Sequence, residues 1–267
     1  MDEVGRYNQN RWDALAAADA LFTSPNLALT PESAQHLVDP DGRLGEIAGK
    51  DVLCLASGGG QQSAAFAILG ARVTVLDLSL EQVKRDREAA EHYGLQIKAF
   101  HGDMRDMSCF GEASFDIVFQ PYSINFVPGP GDVFRGVARL MRVGGRYQVT
   151  FANPFVAGIQ QAGWNGNGYS LNSPYIEGAV ISYDDQEWVY RRDKTGSVPP
   201  PIEYRHTLGA VLNGLIDSGF SLLHLSDNLN MHPDPNAAPG SWEHQVAYAP
   251  PWLSVWALYR PDLLEIE

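Results

Sequence analysis

Cationic side chains are scarce in this chain: 19 Lys and Arg stand against 32 Asp and Glu over 267 residues, a formal charge of −13. They form no cluster along the sequence. Polyanions are held largely by cationic side chains, so nucleic acid and anionic membrane surfaces are poor partners for such a protein. Long apolar runs are also missing; none approaches the roughly 18 residues of a membrane span. The opening Met1-Asp2-Glu3-Val4-Gly5-Arg6 is acidic and lacks the apolar stretch of a signal peptide. These absences predict a soluble, cytoplasmic protein. Of the 2 cysteines, Cys54 falls in a predicted buried strand and Cys109 in a loop; neither belongs to a CxxC or a zinc spacing, so each is expected to be an unpaired thiol. No His, Asp and Glu grouping is convincing as a metal site, and no metal is expected.

What the chain does have is a pair of short apolar runs with distinctive ends. Residues 51–60 read Asp-Val-Leu-Cys-Leu-Ala-Ser-Gly-Gly-Gly, and 72–77 read Arg-Val-Thr-Val-Leu-Asp. A strand, a glycine turn, a helix and a second strand tipped by a carboxylate make a βαβ unit suited to an adenosine-containing cofactor. Asp77 stands 19 residues beyond Gly58, close to the roughly 20 that bring a carboxylate to the ribose hydroxyls.

The same alternation continues. Residues 11–22 carry Trp12, Leu15, Ala16 and Phe22 at helical spacing and predict an N-terminal helix outside the sheet. Strands are predicted at 51–56, up to Asp77, at 96–101, 115–120 and 146–151. Helices are predicted at 61–69, 80–93 and 133–141 between them, which gives a parallel sheet with helices on both faces. From Asn153 to Arg205 the periodicity stops in favour of Gly, Asn, Tyr and Pro, with a hairpin-like stretch at 179–192. A long aperiodic segment inside a compact domain is usually a lid or binding loop. A helix at 207–218 and strands at 220–226 and 252–259 complete the pattern. No crossover helix is visible between the last two strands, which predicts antiparallel neighbours. Three parts follow: a helical segment over 1–47, an α/β domain over 48–267, and within it an insertion at 153–205.

Five ordered motifs now resemble those of class I S-adenosylmethionine-dependent methyltransferases. Val52-Leu-Cys-Leu-Ala-Ser-Gly-Gly-Gly60 looks like the first motif, Asp77 the ribose acid and Gly102-Asp103-Met104 the adenine-contacting segment. Phe115-Asp-Ile-Val-Phe-Gln120 looks like the fourth strand and Leu140-Met-Arg-Val-Gly-Gly-Arg-Tyr147 the turn into the fifth. The resemblance implies a Rossmann-like, seven-stranded, mostly parallel sheet with its last strand antiparallel. It implies S-adenosyl-L-methionine as cofactor, held by Ala56, Ser57, Gly58, Gly60, Gln61, Asp77, Leu78, Asp103, Met104 and Gln120. Gly58 and Gly60 let backbone approach the methionine part, and Asp77 accepts from the ribose diol without offering a competing proton. The family commonly has an acid where this chain has Cys54 and glycine where it has Ala56. Taken singly, the glycines suit any strand-to-helix turn, and Asp77 or Asp103 suits a local cap.

A methyl acceptor must approach beyond the carboxyl end of the fourth strand, where the loop reads Gln120-Pro-Tyr-Ser-Ile-Asn-Phe-Val127. Tyr122 and Asn125 are the candidate positioning groups and His206 the candidate base, needed only if the acceptor arrives protonated. Structural roles compete: Tyr122 packing under its loop, His206 at a helix entry, His101 at a strand end. Tyr7 and Trp12 are placed to cover the cofactor. Trp164, Tyr169 and Tyr175 suit a planar or apolar acceptor, or else a mini-core of the insertion. The expected function is methylation of an O, N or C nucleophile on a small molecule by a monomer or homodimer. The rivals are a nicotinamide oxidoreductase, whose GxGxxG fingerprint would need glycine where Ser63 stands, and a catalytically silent cofactor-fold subunit. The Tyr190 and Lys194 pair, at dehydrogenase spacing, runs into a polar loop and is read as chance.

Overall fold

In the computed structural model, residues 1–159, 163–171, 173–183, 198–227, 229 and 231–265 are described. Helix α1 (Glu3–Ala17) opens the chain, its first turn capped by the Asp2 carboxylate, which accepts from the Gly5 amide. A short 3-10 turn and helix α2 (Pro31–Val38) follow, the latter started by a Thr30/Ser33 capping box with proline in its first turn. Then come β1 (Asp51–Leu55), α3 (Gln62–Ile68), β2 (Arg72–Asp77), α4 (Leu80–His92), β3 (Ile97–His101), β4 (Phe115–Gln120), α5 (Pro130–Leu140) and β5 (Met141–Ala152). The insertion contributes β6 (Val180–Ser182) and β7 (Ile202–Tyr204). After it stand α6 (Leu208–Asp217), β8 (Phe220–Ser226), α7 (Trp242–Tyr248) and β9 (Trp252–Tyr259).

Seven strands form one sheet in the order β3-β2-β1-β4-β5-β9-β8. The first five are parallel, and β9 is antiparallel to both β5 and β8. The reversed strand is thus the last in sequence, slotted between the fifth and the sixth. Alternation along β1 feeds both faces: Leu53 and Leu55 join a core with Val133, Phe134, Val211 and Leu215 of α5 and α6. Val52 and Cys54 join a second core with Ala34, Val38, Ala65 and Phe66 of α2 and α3. No described helix is long and apolar enough to cross a membrane.

Three helical details differ from the sequence expectation. α1 occupies 3–17 rather than 11–22; Asp19 takes φ 52, which ends the helix, and its first half buries Gly5, Asn8 and Arg11, so no apolar stripe marks that half. α2 buries only Ala34 and Val38, too few for a period to register. α7 lies between the last two strands, where no helix was expected, and it too is short. Of the hairpin expected at 179–192, β6 is one arm and pairs with β7; residues 184–192 lie outside the described residues, as do Tyr190 and Lys194.

Candidate active site

The sheet order turns back at the β1–β4 pair, and ligands of open α/β sheets bind at the carboxyl ends of strands at such a point. There β1 runs into a tight turn with Ala56 at φ 48, Gly59 at φ 109 and Gly60 at φ 76. Ala56 therefore holds a left-handed conformation that favours glycine, and its amide is tied to the Leu76 carbonyl at 2.7 Å. A Cβ on Gly58 would fall 2.6 Å from Gln82 Cβ and 2.9 Å from the Asp77 carboxyl. That close approach lets the Gly58 amide donate to Asp77 Oδ2 at 2.9 Å, while the Ser79 amide donates to Oδ1 at 2.8 Å. Burial pushes the Asp77 carboxyl up to about 6, against the pull of those two amides. Beyond β3, Asp103 is paired with Arg105 at 2.6 Å, and Arg105 reaches across to Asp2 of the α1 cap at 2.8 Å.

These groups open onto a cavity of about 1040 Å³. Of the residues singled out from sequence, Ala56, Ser57, Gly58, Gln61, Asp77, Leu78, Asp103, Met104 and Tyr122 line it, and so does Trp12. Ser57 Oγ and Gln82 Oε1, both buried in its wall, have no hydrogen-bond partner among the described residues. The segment before the domain closes one side: Asn8 donates to the Phe126 carbonyl at 2.8 Å, Ser79 Oγ to Asp13 at 2.5 Å, and Gln61 to the Phe22 carbonyl at 3.0 Å.

Residues 53–149 match the methyltransferase-domain family. The Bacillus subtilis (strain 168) uncharacterized methyltransferase YbaJ is 34% identical over 178 residues, spanning 65% of this chain and 67% of that protein. The chain belongs to the class I S-adenosylmethionine-dependent methyltransferases. The ubiquinone biosynthesis O-methyltransferase of Xanthomonas oryzae pv. oryzae (strain PXO99A) is 30% identical over 155 residues, covering 56% of this chain and 63% of its own length, under two thirds. In fold, an S-adenosylmethionine-dependent methyltransferase from Mesorhizobium loti superposes with a TM-score of 0.62 over 87% of this chain and 100% of its own, at 21% identity. The [4+2]-cyclase SpnF superposes with a TM-score of 0.56 over 97% of this chain and 96% of its own at 15% identity, so the fold alone does not fix the reaction.

Four residues expected at the methyltransferase site lie away from the cavity wall. Gly60 serves packing: its amide donates to Asp86 at 3.0 Å, and a Cβ there would meet the Arg85 carbonyl and Ala89 Cβ at 2.7 Å, so the turn rests on α4. Gln120 is fully buried beneath the site, donating to Met104 sulfur and Ser123 Oγ while Tyr147 donates to it. Asn125 braces the loop, donating to the Tyr204 carbonyl at 3.0 Å and accepting from the Ala152 amide at 2.8 Å. His206, 0% exposed, has Nδ1 3.1 Å from Glu177 and Nε2 3.2 Å from the Ile124 carbonyl, so both ring nitrogens are engaged within the protein. It pins the start of α6 to the loop after β4.

The aromatic residues of the insertion divide similarly. Trp164 and Tyr169 cluster with His244 and Tyr248 of α7, and Tyr175 stacks on Phe155 at 5.0 Å; none of these three lines the cavity. Tyr7 donates to the Pro200 carbonyl at 2.8 Å, and His101 bonds the Leu78 carbonyl at a strand end. What sequence reasoning missed sits on the far wall: Glu203 of β7 accepts from Tyr122 Oη at 2.6 Å and from Tyr183 Oη at 2.7 Å, with Trp242 and Trp252 nearby. Glu203 stands three residues before His206, and no local pattern in the sequence marks it.

Proposed function

We propose that this methyltransferase transfers a methyl group to an O, N or C nucleophile on a small molecule held between the β1–β4 crevice and the insertion. The observation that carries the reading is one cavity bounded by the motif residues Gly58, Asp77 and Asp103 at one end and by Tyr122, Tyr183 and Glu203 at the other. Its size is that of sites enclosing a cofactor and a modest acceptor. S-adenosylmethionine, when bound, supplies an electrophilic methyl on a sulfonium. The donor and acceptor groups suit it. Asp77 spends two acceptor positions on amides and keeps others for a ribose diol. The unpartnered Ser57 Oγ and Gln82 Oε1 offer further polar contacts, and Asp103 and Met104, on the same cavity wall, would meet the adenine.

Residues 1–47 cover the cofactor side, and the described residues Val156, Ile159, Tyr183, Pro201 and Glu203 of the insertion cover the acceptor side. Pro199 and Pro200 accept hydrogen bonds from Arg11 and Tyr7, so the two coverings touch each other. Closing a site in this way excludes water and orients the acceptor, which supplies much of the acceleration of an in-line displacement. The test is a panel of small phenols, amines, thiols and carboxylic acids incubated with the cofactor and scored for gain of one methyl by mass. Transfer to a member of the panel supports the reading, and binding of NADH in preference to S-adenosylhomocysteine overturns it.

A further inference from the structure

Resting on the small-molecule reading, we propose that Tyr122 and Glu203 form a proton relay and that the acceptor is an un-ionised hydroxyl on a planar ring. Glu203 is 3% exposed and reaches the cavity from β7. Both phenols that touch it present hydroxyls to its carboxylate, at 2.6 Å from Tyr122 and 2.7 Å from Tyr183. A carboxylate has no proton to give, so both phenols donate. The Tyr122 oxygen then has only lone pairs left for the cavity, and what it can recognise there is a donor. Among the described residues, Arg11, Asp77, Asp103 and Arg105 are the other charged groups of the cavity wall; the last three belong to the end with the glycine turn.

The position of Tyr122 matches that role. Cys54 of β1 pairs with Phe119 of β4 in parallel register, so the loop after β4 and the glycine turn after β1 leave the sheet from neighbouring strand ends. Tyr122 lines the same cavity as Ala56, Ser57 and Gly58. Its ring is held edge-on by Phe126 at 6.0 Å and at a tilt by Trp252 at 5.9 Å. Trp12, itself edge-on to Phe126 at 5.5 Å, continues that aromatic wall, which suits a flat acceptor.

The chemistry selects a hydroxyl. A neutral amine attacks through a free lone pair and needs no base in the transfer, whereas a hydroxyl must lose its proton as its oxygen gains carbon. In the transfer, the acceptor oxygen's lone pair forms the O–CH3 bond, and the pair of the broken S–CH3 bond stays on sulfur. The hydroxyl proton passes to Tyr122 Oη as the Tyr122 proton passes to Glu203, which later releases it to water. Burial raises the Tyr122 phenol well above its ordinary value, with the Glu203 charge adding to the rise. A standing phenolate is thereby disfavoured, and the two proton movements are coupled.

The probes are 4-methylphenol, 4-nitrophenol, toluene, aniline and benzoate, used with full-length protein at a pH where 4-nitrophenol is ionised and 4-methylphenol is not. Wild-type protein should convert 4-methylphenol to its methyl ether. Its complex with S-adenosylhomocysteine should bind 4-methylphenol roughly tenfold more tightly than toluene, the value of about one hydrogen bond, and Tyr122→Phe should erase that preference. Glu203→Gln and Tyr122→Phe should each lower kcat on 4-methylphenol by roughly 10²–10⁴-fold, leave turnover of 4-nitrophenol within about tenfold, and keep S-adenosylhomocysteine affinity; Glu203→Asp should recover part of the rate. Equal losses on both phenols, unchanged rates, or lost S-adenosylhomocysteine affinity in both variants would mark a structural role and overturn the relay. Methylation confined to aniline or benzoate, or of no probe at all, overturns the hydroxyl assignment. In the aniline and benzoate case the small-molecule reading survives; a wild-type protein that fails to bind S-adenosylhomocysteine overturns that reading itself.

Discussion

If Asp77 receives the ribose hydroxyls, cofactor affinity must follow its ionisation. The carboxyl is pushed up to about 6, with burial the largest cause and the Gly58 and Ser79 amides opposing it. Raised in this way, its charged form is complete above that value and is lost as the pH falls through it. A diol donates to the carboxylate and has less to gain from the protonated acid, so affinity falls in the same direction. With a pKa of about 6, one Asp77 in about eleven stays ionised at about pH 5, so S-adenosylhomocysteine should bind about tenfold more weakly there than at about pH 8. Calorimetry across that range measures it directly. Asp77→Asn should weaken binding at the upper end by about 1.5–3 kcal/mol, the usual value of hydrogen bonds to a charged group, and flatten the pH profile. Asp86 complicates the picture: burial pushes it up to about 7, and it accepts from the Gly60 amide behind the turn. Asp86→Asn isolates its share. A flat wild-type profile, or an unchanged slope in Asp77→Asn, would refute the assignment.

Gly58→Ala should abolish measurable cofactor binding or weaken it at least about tenfold, because its Cβ would fall within 2.9 Å of the Asp77 carboxyl; calorimetry on the folded variant checks it. His206→Gln should cost roughly 1–3 kcal/mol in denaturant unfolding, since a buried ring with two engaged nitrogens is lost, while turnover per folded molecule stays nearly intact. Limited proteolysis within residues 153–205 should slow when S-adenosylhomocysteine and an acceptor are bound, if that segment covers the acceptor; equal cleavage rates would count against it.

The sheet was legible because its strands are short, β-branched and punctuated: Val52 to Leu55, Arg72 to Asp77 and Phe115 to Gln120 lie within one residue of their expected positions. The cofactor end was legible for the same reason, since strand tips carry the functional groups. Helices α2 and α7 were hidden because their buried faces are only two or three residues wide, and only the second half of α1 was legible because its first half buries the polar Asn8 and Arg11. The acceptor end was harder. Its residues come from an insertion with no period, and nothing in the local pattern distinguishes Glu203, which turns into the cavity, from His206, which turns away to Glu177 and Ile124. A histidine near a binding loop draws notice by its chemistry, yet it is Glu203 of β7 that lines the cavity. Ala56 is the reverse case: the departure from glycine seen in the sequence coincides with a φ of 48 that glycine would hold without strain.

The most direct measurement of the central claim is mass spectrometry of the purified protein incubated with methyl-labelled S-adenosylmethionine and a fractionated pool of small metabolites, alongside the Asp77→Asn variant. The account predicts S-adenosylhomocysteine formation that depends on a metabolite fraction, with the label recovered in a compound of low molecular mass and with the variant's rate falling at sub-saturating cofactor. Label recovered only in protein or nucleic acid, or a wild-type protein that binds no S-adenosylhomocysteine, would contradict it.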